Sequence, residues 1–269
     1  MHNLYGGAVH LSFEPKKHTY LINGKEAVSV TTVTGTIDKS AALMGWVAKG
    51  ISEHLAEVLK PGMILDEIFV HELCLSVKKI HREKSRSAAD LGTIAHDWSE
   101  RYIKNKLKIE GFEPPAVPVN EKLKNCVTAM LDWESRHAVK WVDSERKVAS
   151  LKHHFAGTED FEAIMNLCGK DCCSKKKATE VYVSGDWKTS NSIKYPEYFI
   201  QTGAYWGACQ EEAVFTKSSL IASHRVLVRF GKEDGVFESH VTDENKSDYE
   251  AFLGLRKLHK RLAVLKKSA

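Results

Sequence analysis

The chain has 269 residues, 43% apolar and 28% charged. It is long enough to bury a sizeable core and too rich in apolar residues to be an extensively disordered segment. A net charge of +4 is too small by itself to indicate a nucleic-acid partner, so the clustering of charge carries more weight than its sum. No run approaches the ~18 apolar residues of a membrane span, and Met1 to His10 lack the charged start and apolar stretch of a secretory signal. A soluble, intracellular, cytoplasmic protein without a membrane partner is therefore expected. Its six cysteines are expected as free thiols rather than a disulfide framework.

Along the chain, Tyr20 to Ile22, Asn23-Gly24 and Ala27 to Val33 predict a hairpin: strand, favoured two-residue turn, β-branched strand. A helix is predicted from Ser40 to Leu59, with Leu43, Trp46, Val47, Ile51 and Leu55 on one stripe and Pro61-Gly62 beyond its end. Two further helices are predicted over 64–83 and 87–109, with the basic run Lys78 to Arg86 at their junction. Pro114, Pro115 and Pro118 mark 111–120 as a linker, and 121–142 reads as helical again. Strands then follow over 145–151, 155–167, 180–189, 219–230 and 236–241, with helices over 196–213 and 244–267. The order gives an α/β (α+β) fold: a helical N-terminal half, then a mostly antiparallel sheet flanked by helices.

Four constellations carry chemistry. In Ser184-Gly185-Asp186-Trp187-Lys188-Thr189, strand alternation puts Asp186 and Lys188 on one face and Trp187 on the other. By itself this could be a solvated ion pair of small consequence. The apolar run before it suggests a central strand, where charges need partners or a metal. Asp160, in Gly157-Thr158-Glu159-Asp160, lies on the preceding strand or in a turn beside Gly157. If on the strand, a hairpin brings it to Asp186, and hard carboxylate oxygens suit Mg²⁺ or Mn²⁺. In Leu91-Gly92-Thr93-Ile94-Ala95-His96-Asp97-Trp98-Ser99-Glu100, His96 and Glu100 share a helix face distinct from the apolar stripe of Leu91, Ala95, Trp98 and Tyr102. They could reach an ion, or simply face water. Gln201 and Tyr205 lie one turn apart and could bond phosphate oxygens, or be buried and satisfied within the fold.

Taken in order, Gly92-x-x-x-His96-x-x-x-Glu100, Gly157-x-x-Asp160, Asp186-x-Lys188 and Gln201-x-x-x-Tyr205 resemble the PD-(D/E)XK nuclease superfamily. The similarity is to its RecB-type branch, which includes phage exonucleases and mitochondrial genome maintenance exonucleases, and it covers about residues 18 to 210. The hairpin with Ser29-Val30-Thr31 also resembles the start of those members. The resemblance implies a central mixed sheet flanked by helices. It implies one nuclease domain over 1–269, with a hairpin and helical part over 18–120 and a catalytic sheet core with the C-terminal helix over 121–269. It makes His96, Asp160 and Asp186 metal ligands together with the backbone carbonyl of Trp187, and counts Glu100 with them. Lys188 becomes the catalytic lysine, with Asp186, Asp160 and Glu145 also in the catalytic set. Gln201, Tyr205 and Thr189 become the substrate-side positions.

The cofactor implied is Mg²⁺ or Mn²⁺. Some relatives hold an iron–sulfur cluster on one upstream cysteine and three closely spaced late ones. Here Cys168, Cys172 and Cys173 stand between the two aspartates and only Cys209 is late, so no cluster is expected. Zinc at those three cysteines would need a fourth ligand, such as His153 or His154.

The resemblance implies a metal-dependent DNA exonuclease acting on ends or single strands in replication, recombination or repair, and a viral or phage origin rests on that resemblance alone. Its partner is DNA, which Lys78 to Arg86, Lys175 to Lys177 and the basic helix Arg256 to Lys267 would suit, although each could be an ordinary solvated face, the C-terminal helix above all. The rivals are a non-catalytic DNA-binding or assembly subunit, a structure-selective endonuclease, and, with no nucleophile elbow, P-loop or dinucleotide motif in its favour, a small-molecule hydrolase.

Overall fold

The structure, a computed structural model, describes residues 2–15, 17, 19–167 and 179–268, without the side chains of residues 81, 84, 88 and 268. Cys168, Cys172, Cys173 and Lys175 to Lys177 lie outside the described residues. Two compact units are present: residues 38–93, and residues 1–37 with 94–269.

In the larger unit, β1 (His2–Leu4) and β2 (Val9–Glu14) precede the hairpin of β3 (Thr19–Ile22) and β4 (Lys25–Ser29). Asn23 and Gly24 both have positive φ, 49° and 78°, as a tight turn between twisted strands requires. The second strand stops earlier than its β-branched run predicts. Ser29 accepts from the backbone N–H of Thr32 at 3.0 Å, and this cap starts α1 (Val30–Thr34) where strand was expected.

The smaller unit holds α2 (Ser40–Val58), as predicted, and the first part of α3 (Glu67–Lys106). The two helices expected over 64–83 and 87–109 are therefore one. The polar, basic stretch between them contains no proline or glycine and is built of residues that favour helix.

Asn120 caps α4 (Glu121–His137) by accepting from Leu123 N–H at 3.1 Å. Ala138, at φ 48°, ends it five residues before the expected boundary, and β5 (Lys140–Ser150) begins at once. Then come β6 (Phe155–Asn166), β7 (Glu180–Lys188), α5 (Pro196–Thr216), β8 (His224–Phe230), β9 (Phe237–Thr242) and α6 (Asn245–Ser268). Residues 219–223, expected as strand, precede β8 instead.

The nine described strands form one mixed sheet in the order β1-β2-β3-β4-β6-β7-β8-β9, with β5 paired to β6. β4 with β6 and β7 with β8 are parallel; the remaining pairs are antiparallel. One core cluster joins α3 and α4 to β6, β7 and β8. At its centre Phe161 stacks on Trp187 at 4.0 Å between centroids, and Trp133 meets both edge-on. This stack explains Gly185: a Cβ there would fall 1.9 Å from the Phe161 ring. A second cluster joins α1, α5 and α6 to β5 and β6. The site residues of β6 and β7 thus sit on strands packed over by helices on both sides.

Candidate active site

Antiparallel pairing of β6 with β7 runs to Phe161 opposite Gly185, which leaves Asp160 and Asp186 as the next residues on neighbouring strands. Asp160 is in a strand, not a turn, and both carboxylates are buried. The Oδ2 atom of Asp160 accepts from Trp187 N–H at 2.7 Å, which ties the two strands together at the carboxylates. The indole of Trp187 is committed to the aromatic core, so any part this residue plays at the site belongs to its backbone.

His96, on α3, places Nδ1 3.5 Å from Asp160 Oδ2. Three of the four stripe residues expected on this helix pack: Ala95 is buried in the core, with Trp98 and Tyr102 against it, while Leu91 is not part of that cluster. Packing one face of α3 therefore aims the His96 face at Asp160. Burial disfavours the charged imidazole, yet the adjacent Asp160 carboxylate outweighs it and His96 is pushed up to about 9. For Asp160, burial is opposed by His96, Lys188 and the Trp187 N–H, and its carboxyl is held below the usual range.

Glu145 joins this pair from β5. His96, Glu145 and Asp160 each offer a ligand atom, all within 4.8 Å of one another. Glu145 has φ 56°, a left-handed conformation inside a strand. Burial, then the charge of Asp160, pushes its carboxyl up to about 7, although Lys147 lies 3.6 Å away. One imidazole and two carboxylates fit a divalent cation that prefers oxygen and tolerates nitrogen.

Asp186 faces a different set of partners. It forms an ion pair with Lys188, and its Oδ1 accepts from Gln201 Nε2 at 3.1 Å. The same amide nitrogen donates to the Tyr205 hydroxyl at 2.9 Å, and its oxygen accepts from Lys188 Nζ at 3.4 Å. Lys188 also lies over the Tyr198 ring, 4.5 Å from its centroid. Burial raises Asp186 to about 6 against the pull of Lys188. Asp186 and Asp160 in turn keep Lys188 protonated despite burial.

Not every expected residue converges. Glu100 is outside the set of three, and its Oε1 is 2.5 Å from Lys104 Nζ one helical turn on. Its charge still raises Glu145. Thr189 follows β7 half-buried. Cys74, Cys126 and Cys209 are free thiols.

Two features have no counterpart among the residues expected from sequence. Tyr198 is three residues before Gln201, so helical spacing alone could have found it. The other is a buried charge network behind the strands. Arg146 pairs with Glu162 at 2.5 Å and Glu212 at 3.2 Å, while Glu159 is wholly buried close to Glu162 and Cys209. Burial first, then Glu162, holds the Glu159 carboxyl well above its usual range. Acidic residues three apart in an apolar strand were the available signal.

No protein family matches the chain, and no curated protein does. Among solved structures, one titled "Crystal structure of SSO0001" is similar at 12% identity, over 84% of this chain and 87% of that one, with a TM-score of 0.33. A likeness that loose bears on neither fold nor activity. No helix among the described residues is long and apolar enough to cross a membrane.

Proposed function

We propose that the chain is a metal-dependent DNA nuclease of the PD-(D/E)XK kind, an exonuclease acting on ends or single strands. The observation that carries this reading is the double contact of Gln201. One side-chain amide holds both Asp186 and Lys188, while Asp160, on the next strand, carries His96. An ion pair serving only stability does not need a second, separately held carboxylate and an imidazole beside it.

His96, Asp160 and Glu145 would hold a Mg²⁺ or Mn²⁺ ion, with Asp186 at the margin of that set. Bound there, the ion supplies charge stabilisation for a phosphodiester and a water of lowered pKa. The protein's own part is positional. Gln201 and Tyr198 fix the Lys188 ammonium against Asp186, where it can meet negative charge developing on a phosphate. His96 and Lys188 balance the charge of Asp160 and Asp186, so a cation would enter as the His96 and Glu145 protons leave. Hydrolysis forms a bond from a water oxygen to phosphorus and breaks the bond from phosphorus to a sugar oxygen. The products are one end with a phosphate and one with a hydroxyl.

The test is end-labelled single-stranded and duplex DNA incubated with Mg²⁺, Mn²⁺ or chelator, beside Asp186→Ala. Metal-dependent loss of DNA that disappears in the variant supports the reading, and the order of label release gives polarity. A closed circular strand that is cut would make the enzyme an endonuclease. Binding without cleavage under either metal would replace the proposal with a DNA-binding subunit.

A further inference from the structure

The face of α6 that packs on the core changes character halfway along. Tyr249, Phe252 and Leu253 belong to the second cluster, with Phe252 buried 4.8 Å from the Phe155 ring. At the same helical spacing the stripe continues as Arg256, His259, Lys260 and Ala263. One turn beyond an apolar layer, another apolar layer would be ordinary, and three basic side chains stand there instead.

They do not face open solvent alone. With Ala263, with His154 from the turn before β6 and with Val28 of β4 they line a cavity of about 280 Å³. Among the described residues no carboxylate lines it. Arg256 Nε is buried without a hydrogen-bond partner, and among the described residues Arg256, His259 and Lys260 form no ion pair. The ring of His154 is tethered: its Nε2 donates to the Glu26 carbonyl at 2.8 Å. An unsatisfied buried donor on a charged group is destabilising, and a neighbouring cation adds repulsion. An anion relieves both.

We infer that this cavity is an anion subsite for a phosphate group and, resting on the nuclease reading, that it grips a backbone phosphate of the DNA strand away from the point of cleavage. Arg256 offers a guanidinium fork and Lys260 a point charge, the pairing suited to phosphate oxygens. Val28 pairs directly with Phe155, and from there to Asp160 is roughly 17 Å of strand at about 3.3 Å per residue. That span is about five base steps of B-form strand at roughly 3.4 Å each. The other chemical source of the same anion is free phosphate.

Both sources are separable with the full chain in chelator, where no strand is cut. Histidine ring signals are followed by NMR as inorganic phosphate, or a single-stranded oligonucleotide, is added. DNA affinity is measured against salt for wild type, for Arg256→Gln with Lys260→Gln, and for Lys246→Gln as a control. We expect His154 and His259 signals to move with either ligand. The double variant should bind DNA about 5- to 10-fold more weakly with a salt slope lower by about 1, and its thermal midpoint should hold or rise. Lys246→Gln should leave affinity unchanged. Movement with phosphate but not DNA, at unaltered DNA affinity, overturns the strand assignment and leaves a small-anion pocket. No movement with either ligand overturns the subsite. If wild type binds no DNA, the nuclease reading fails, and the phosphate arm still decides whether the pocket takes an anion.

Discussion

The amide of Gln201 lies 3.1 Å from Asp186, donating through Nε2, and turns its oxygen to the lysine that Asp186 holds. A single side chain thereby sets the spacing of the acid and the base of the site. Replacing Gln201 with Ala removes two bonds to charged groups, each worth about 1.5–3 kcal/mol. If half of one such bond is lost in the transition state alone, the rate falls about 4- to 13-fold; if both are, more than 100-fold. We expect a kcat reduced by 10- to 100-fold at near-constant KM. Steady-state kinetics would show otherwise if KM rose and kcat held.

Lys188 competes with a cation for Asp186. In Lys188→Met the carboxylate is freed while the ammonium is lost. Cleavage should drop by at least 100-fold, the usual effect of deleting one charge-stabilising donor. Affinity for Mn²⁺ should rise at the same time. Calorimetric titration of wild type and variant checks this, and weaker Mn²⁺ binding in the variant would mean that Lys188 supports the ligands instead of opposing the ion.

How much of the site is legible in the sequence follows from what each residue depends on. The pairing of Asp186 with Lys188, and of Gln201 with Tyr205, rests on local spacing within one strand and one helix, so the sequence displays it. Glu145, which the resemblance puts in the catalytic set, reaches His96 and Asp160 through its own left-handed backbone within a strand, and strand spacing by itself does not signal that. Glu100 is equivalent to His96 on the helix surface by spacing, but Lys104 at i+4 claims it. In the fold, the β-branched run after Ala27 reads as strand, yet Ser29 becomes a cap, a local hydrogen bond overriding a propensity. The break expected within α3 falls at the basic run Lys78 to Arg86, and a run of charge marks exposure rather than an end of helix. The bond from Trp187 N–H to Asp160 is tertiary and has no sequence signal.

Metal binding should strengthen steeply with pH. A cation must displace the proton that Glu145 holds up to about 7 and the one that His96 holds up to about 9. Apparent Mn²⁺ affinity at pH 8 should exceed that at pH 6 by about 10-fold or more, with protons released on binding. In chelator the sign for stability is opposite. The folded pKa of His96 is raised above 6.5, so its contribution is complete below 6.5 and is lost as pH rises through about 9. Glu145 acts in the same direction between its unfolded value of 4.5 and about 7. The metal-free melting temperature should therefore decline from pH 5 to pH 9, and less so in His96→Gln. A flat profile in chelator, together with pH-independent Mn²⁺ affinity, would remove the electrostatic basis of the His96–Glu145–Asp160 set.

Gly157 is a steric requirement of the Gln201 arrangement, three residues before Asp160. A Cβ at this position would stand 2.6 Å from Tyr205 Cε1 and 3.2 Å from Val30 Cγ2, both buried. The tyrosine ring cannot give way without shifting the hydroxyl that Gln201 holds at 2.9 Å. Overpacking of this kind costs about 1–3 kcal/mol. Gly157→Ala should lower the thermal midpoint by several degrees and reduce cleavage about 10-fold, through a displaced amide rather than a lost ligand, so Mn²⁺ affinity should stay near wild type. Adding Tyr205→Leu, which removes the clashing ring, should restore much of the stability but not the activity, because Gln201 then has no hydroxyl to orient it. Should the double variant recover cleavage fully, Tyr205 would be packing alone and the amide would owe its position to Asp186 and Lys188.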